Sequence, residues 1–169
     1  MFSQTLEYAL RVVAFLATRD APATTRQIAA ATKVPESYLA KLLQGLSRGG
    51  LVSSQRGLHG GSVLARPPAE ITLYDVALAM DPKADPIPRI KTCPLGLKSH
   101  GTQLCPVHKR LDEAAEMVEK VFRDSTIADL LAEPSASKPL CESEPGTAAE
   151  PAAKGPRTAV VPLTVSPKR

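Results

Sequence analysis

Two cysteines and two histidines crowd the stretch CPLGLKSHGTQLCPVH, at Cys93, His100, Cys105 and His108. Thiolate and imidazole are soft or borderline donors, a set that suits zinc or an iron-sulphur cluster, and spacing alone does not choose between them. Cys105 and His108 stand three apart at the expected start of a helix, hence on one face, where the open amides of the first turn favour thiolate. With Cys93 closing the loop, three donors have the means to converge on one centre. The same residues admit two other readings, a redox-active thiol pair or cysteines kept as buried apolar side chains. A Cys–His nucleophile finds no oxyanion-type glycine loop, cofactor fingerprint or carboxylate pair beside it, so the chain is not read as an enzyme.

The elements that must position this loop begin upstream, in TTRQIAAATKVPESYLAKLLQGLSRGGLVSSQRGLHGGSVLA. Ile28, Ala29, Ala31 and Thr32 recur at helical spacing after Thr24 or Thr25, either of which is suited to cap the first amides. Pro35 disfavours continued helix at Val34 and fits the first turn of the next one, so the turn sits at Lys33 to Pro35. Tyr38, Leu39, Leu42, Leu43 and Leu46 then form one face, with Glu36, Ser37, Lys41, Gln44 and Ser47 on the other until Gly49-Gly50 ends the helix. Leu51 to Arg56 and Ser62 to Arg66 flank a glycine-rich tip and read as a hairpin. That tip lacks the Lys-Ser/Thr ending of a phosphate-binding loop.

Two short helices, a sharp turn and a hairpin spell a winged helix-turn-helix, in which the exposed face of the second helix enters the major groove of DNA. Ser37, Tyr38, Lys41 and Gln44 are the expected contacts there, with Arg56 and His59 at the hairpin tip reaching phosphate or minor groove. A polar helix face is by itself only a solvated surface; the charge distribution adds to it. Residues 1 to 66 carry +5, residues 67 to 132 carry −2 and residues 133 to 169 carry +1, within a net +4. Positive charge therefore gathers where the phosphate backbone would lie.

At 169 residues with 4% aromatic content and no Trp, the chain fits one small domain plus an appendage, its core built from Leu, Val and Ala. No long apolar run or basic-plus-apolar leader appears, and the expected compartment is the cytoplasm, without membrane contact. Three cysteines argue against a disulfide framework, and Cys141 reads as an incidental thiol.

SQTLEYALRVVAFLATR opens the chain as an amphipathic helix that Ser3 is placed to cap. After Pro67-Pro68, Ile71 to Met80 reads as a strand end running into a helix, and Pro82, Pro86 and Pro88 enforce a loop. Residues 106 to 131 form the longest periodic segment, and a long helix at the end of a small domain buries its apolar stripe most simply against a symmetric copy. The expected divisions are 1–82 for the winged helix-turn-helix, 83–108 for the cysteine loop, 109–132 for a dimerisation helix and 133–169 for a disordered tail.

Residues 1 to about 132 resemble the Rrf-two family of bacterial winged-helix transcription regulators. The resemblance is carried in order by LEYALRVVAFLA, IAAATKVPESYLAKLLQGLSRGGLV, RGLHGGSVLARPP, EITLYDV and the late cysteine loop. It implies a homodimer on double-stranded DNA, whose cluster-bearing forms sense iron-sulphur status, nitric oxide or redox state. Cys93 and Cys105 match the outer two of the family's three cluster cysteines, and His108 matches a ligating histidine. The middle cysteine is replaced by Ser99, beside His100, which disfavours a standard four-iron cubane. Glu7 matches a carboxylate that some members lend from the first helix of the partner subunit. The ligand set so implied is Cys93, Cys105, His108 or His100, and Glu7, around a two-iron cluster, with zinc or no cofactor as alternatives.

The expectation is thus a mainly α chain with a small β-hairpin wing and a long C-terminal dimerisation helix, a repressor on a palindromic operator. The two alternatives are a clusterless regulator controlled by thiol oxidation or a small ligand, and a winged helix serving protein or RNA contacts.

Overall fold

The computed structural model describes residues 2–55, 60–82, 85–94, 96 and 104–134. Arg56, His59, Ser99, His100, Cys141 and the expected tail beyond Pro134 lie outside the described residues.

Helix α1, Gln4–Ala17, is the central element, and its Leu6, Ala9, Val12, Val13 and Leu16 are buried in the core. Ser3 caps it, its Oγ accepting the Leu6 amide at 3.2 Å. Helix α2, Thr25–Thr32, starts in a reciprocal capping box: Gln27 N–H donates to Thr24 Oγ1, and Thr24 N–H donates to Gln27 Oε1. Thr24, not Thr25, is the cap. Lys33 turns the chain in the left-handed region at φ 57°, Val34 is buried, and Pro35 opens α3, Glu36–Arg48. The Arg11 guanidinium donates to Thr32 O at 3.3 Å, tying α1 to the carbonyl end of α2.

Strands β1, Val52–Gln55, and β2, Gly61–Leu64, pair antiparallel with Val52 opposite Leu64 and Gln55 opposite Gly61. A third strand contact joins them that the sequence did not announce. Ala23 and Ser62 exchange both backbone bonds, at 3.0 and 2.8 Å, which fastens the wing to the segment between α1 and α2. Gly61 makes that approach possible, since a Cβ there would stand 2.7 Å from Ala23 O.

A 3-10 turn at Pro68–Glu70 leads to α4, Leu73–Met80, which packs on α1 and α3. Helix α5 runs Pro106–Asp124, starting earlier than the expected residue 109, and it does not continue to 132. Ser125 and Thr126 break the periodic segment, and α6, Ile127–Ala132, turns back against α1 and the 3-10 turn. The break is a capping box, Thr126 with Asp129, laid beside the Thr72–Asp75 box of α4. Leu73 N–H donates to Ser125 O and Ile127 N–H to Ile71 O, so the two helix starts are zipped together. The far end of α5 is thereby held on its own domain, with Phe122 buried and stacked on Phe2 at 5.0 Å. Among the described residues no helix is long and apolar enough to cross a membrane.

Candidate nucleic-acid interface

Leu39, Leu42, Leu43 and Leu46 of α3 are buried, and Leu39 and Leu46 are fully so. Burial of each such side chain stabilises the fold by about 1.5–3 kcal/mol and fixes which face of α3 looks outward. Ser37, Lys41 and Gln44 are on that outward face, each exposed. Arg48 continues their stripe, one more turn along, and the sequence reading passed over it although its spacing from Gln44 was legible.

Tyr38 stands apart from the other three. It is half-buried, its hydroxyl is 2.6 Å from Thr5 Oγ1, and its ring meets Tyr8 edge-on at 5.9 Å. Its polar end is thus engaged with α1 rather than turned out beside Lys41. Gly49 brings the end of α3 against α4, where an added Cβ would meet Ala79 Cβ at 2.6 Å, so the pitch of α3 on the body is set by a glycine. The hairpin follows α3 directly and is held along β2 by the Ala23–Ser62 bridge, while Arg56 and His59 lie outside the described residues.

The cysteine loop is pinned at its start by Arg89. Its Nε and Nη2 donate to the two Asp112 carboxylate oxygens at 2.8 Å each, Nη2 reaches Glu116 at 3.2 Å, and Ile90 N–H donates to Asp112 Oδ1 at 2.8 Å. These bonds, the Arg89 pair first and the Ile90 amide second, hold the Asp112 carboxyl down to about 2. A bidentate Arg–carboxylate clasp between loop and helix was not read from sequence, because its members are 23 residues apart.

Cys93, three residues beyond Ile90, is buried; Cys105 is the N-cap of α5 and half-exposed, its Sγ 3.3 Å from His108 Nδ1. The structure therefore brings Cys105 and His108 together as a two-donor pair. Glu7 is exposed on α1 and ion-paired with Arg11 one turn on. Among the described residues no three His, Cys, Asp or Glu side chains stand close enough to hold a metal ion. The described donors of one chain do not by themselves form a metal site.

A second clasp ties α4 to α5. Arg123 lies over the Tyr74 ring at 3.6 Å and donates to Glu119 at 2.8 Å, while the Tyr74 hydroxyl donates to Asp85 at 3.3 Å. Burial is the main reason the Tyr74 hydroxyl titrates above its usual range.

Compared with known proteins, residues 2–133 match the model of the Rrf2 (Rrf-two) family, described as iron-dependent transcriptional regulator. The chain is 32% identical over 147 residues to the HTH-type transcriptional regulator NsrR of Geobacillus kaustophilus, spanning 83% of this chain and 95% of that one. Among solved structures, CymR (YrzC), the global cysteine regulator of B. subtilis, superposes with a TM-score of 0.63 at 26% identity, covering 77% of this chain and 95% of its own. IscR of T. potens gives 0.61 at 25% identity, over 78% and 85% of the two chains.

Proposed function

The chain belongs to the Rrf2 family of transcriptional regulators, which are not enzymes, and from that membership we propose that it is a homodimeric repressor acting in the cytoplasm on a palindromic DNA operator. Each α3 enters a major groove, Ser37 and Gln44 addressing base edges and Lys41 a phosphate, with Tyr38 at the inner border of the contact. The wings follow, Arg56 and His59 reaching backbone or minor groove. Two-fold symmetry places the recognition helices roughly 34 Å apart, one turn of duplex. The single observation that carries this reading is the outward stripe of Ser37, Lys41 and Gln44 on a helix whose other face is locked into the core.

Selection of binding sites from random duplex DNA, followed by footprinting, tests it. An inverted repeat is expected, with Gln44→Ala relaxing preference at one base position of each half-site. Weak binding without sequence preference would instead favour a winged helix serving RNA or protein contacts.

The signal is the second part of the proposal. Cys105 and His108 are the pair that would hold an iron-sulphur cluster, two-iron rather than four-iron, completed by Cys93 and by His100 or the Glu7 of a second copy. Such a cluster, when bound, supplies a redox- and nitric-oxide-sensitive bond between the loop and α5. The chain's own part is structural: Arg89 and Asp112 keep the loop on α5, so a change at Cys105 is felt by both. Anaerobic purification with iron, sulphide and zinc quantification decides it, on wild type and on Cys93→Ala/Cys105→Ala. Iron and sulphide lost in the variant support the cluster; zinc alone, or neither, leaves regulation to a zinc site, thiol oxidation or a small ligand.

A further inference from the structure

A groove of about 540 Å³ runs between α1, α4 and α5, walled by Leu6, Met80, Ile87, Ala115 and Val118. Its polar rim is acidic, with Asp81 and Asp85, and no lysine or arginine is among its described lining residues. Asp85 is held in place, its Oδ1 accepting the Ile87 amide at 3.0 Å and the Tyr74 hydroxyl at 3.3 Å. The large exposed apolar side chains of α5, Val107, Leu111, Met117 and Val121, are not among the lining residues, so the groove is a surface apart from the one they present.

The chain itself carries a segment of matching chemistry. Residues 134–169 lie beyond the family match, and charge is divided within them. Residues 133–150 hold four glutamates and one lysine, whereas residues 151–169 hold Lys154, Arg157, Lys168 and Arg169 and no acidic residue. Between the two pairs of cations runs TAVVPLTV, residues 158–165. On extended backbone its Ala159, Val161, Leu163 and Val165 share one face, while Thr158, Pro162 and Thr164 fall with Val160 on the other. Pro162 in the middle disfavours a helix there. Alternation of this kind is the pattern of a segment with one buried face.

We propose that residues 159–165 dock in this groove of their own chain, with Val161 and Leu163 on its aliphatic floor and the flanking cations against Asp81 and Asp85. Cations alone would suit a phosphate backbone equally well; the alternating aliphatic face is what a duplex has no use for. The reach is sufficient. Residues 135–158 separate the segment from the described body, and even as a random coil a linker of that length spans about 25–30 Å, against a radius of gyration of about 14 Å for a body of this size. Tethering presents the segment at an effective concentration on the order of millimolar, so a weak contact is enough to fill the groove. Ile87 and Pro88 of the wall lead into Arg89, and the docked segment thereby braces the start of the cysteine loop. The docking stands independently of the dimer and of the operator.

The test is nuclear magnetic resonance of isotope-labelled methionine methyls in the full chain. Of three methionines, Met80 lines the groove, and Met117, 65% exposed and outside its lining, serves as the control. Val161→Asp with Leu163→Asp, which leaves the folded body untouched, is expected to move the Met80 methyl resonance and leave Met117 in place. A synthetic peptide of residues 151–169 added to that variant is expected to return Met80 to its wild-type position, and Asp81→Lys to weaken the peptide's binding at least threefold. A Met80 resonance that is identical in wild type and tail variant, or that ignores the peptide, would overturn the docking, as would equal shifts of Met80 and Met117. A tail variant that loses DNA affinity while Met80 stays unmoved would overturn it too and assign the segment to DNA.

Discussion

Arg89 and Asp112 join the cysteine loop to α5 through two parallel bonds of 2.8 Å, and the Ile90 amide adds a third bond to the same carboxylate. The Asp112 carboxyl is held from 3.8 down to about 2 by these contacts. A depressed carboxyl contributes stability that is fully present above its unfolded value and is lost as pH falls through its folded one. The contribution of the clasp is therefore expected to disappear between about pH 4 and pH 2. Asp112→Asn is expected to unfold at lower temperature than wild type at pH 7 and at nearly the same temperature near pH 2. Thermal melts at a series of pH values check this, and parallel curves for the two proteins would mean that Asp112 gains nothing from Arg89.

The wing is expected to depend on one glycine. A Cβ at position 61 would stand 2.7 Å from Ala23 O and 2.8 Å from Ala23 C, both backbone atoms with no side-chain freedom to yield. Gly61→Ala must therefore open the Ala23–Ser62 exchange, at about 1–3 kcal/mol of stability. Denaturant unfolding measures the loss, and amide exchange should locate it at Ala23 and Ser62. Gly50 makes the contrast: an added Cβ there meets nothing within 4 Å, but its φ of 69° disfavours other residues on conformational grounds alone.

How far the chain could be read from sequence follows from how local each cause is. The α2–turn–α3 unit was legible because its signals, the Thr24 cap, Pro35 and the leucine spacing of α3, act within a turn or two of where they are written. The Thr126–Asp129 capping box was equally local, and it ends the long periodic segment that hydrophobic spacing alone ran through to residue 131. Apolar periodicity does not register a break that keeps the same residues facing inward. What stayed illegible is long-range: Ala23 gives no strand pattern of its own, and its pairing depends on a glycine 38 residues later. The outward face of α3 was read correctly as a face, yet the engagement of Tyr38 with Thr5 needed α1 in place. The cysteines and histidines of the loop offered candidate donors by type alone, and only the Cys105–His108 contact is local enough to follow from spacing.

The two faces of α3 should separate stability from binding. Leu39 is fully buried, and Leu39→Ala is expected to cost about 2–5 kcal/mol in unfolding experiments. Gln44→Ala removes an exposed side chain and is expected to leave unfolding within about 0.5 kcal/mol of wild type while altering site preference. A Gln44 variant with wild-type footprints would place base reading elsewhere on the domain.

Tyr38 and Lys41 are one turn apart and predict opposite results. The Tyr38 hydroxyl is 2.6 Å from Thr5 Oγ1 and half-buried, so Tyr38→Phe is expected to lose about 0.5–1.5 kcal/mol of stability. Its DNA affinity should hardly change if the hydroxyl stays with Thr5 in the complex. Lys41 is exposed, and Lys41→Ala should leave the melting temperature near wild type. It should weaken binding to all sequences alike and lower the slope of log affinity against log salt by about 1, as loss of one phosphate contact requires. Titrations of both variants at several salt concentrations, beside their thermal melts, decide the assignment. A salt slope unchanged by Lys41→Ala would take that residue off the phosphate backbone, and a large affinity loss in Tyr38→Phe at unchanged stability would mean that the hydroxyl leaves Thr5 to contact DNA.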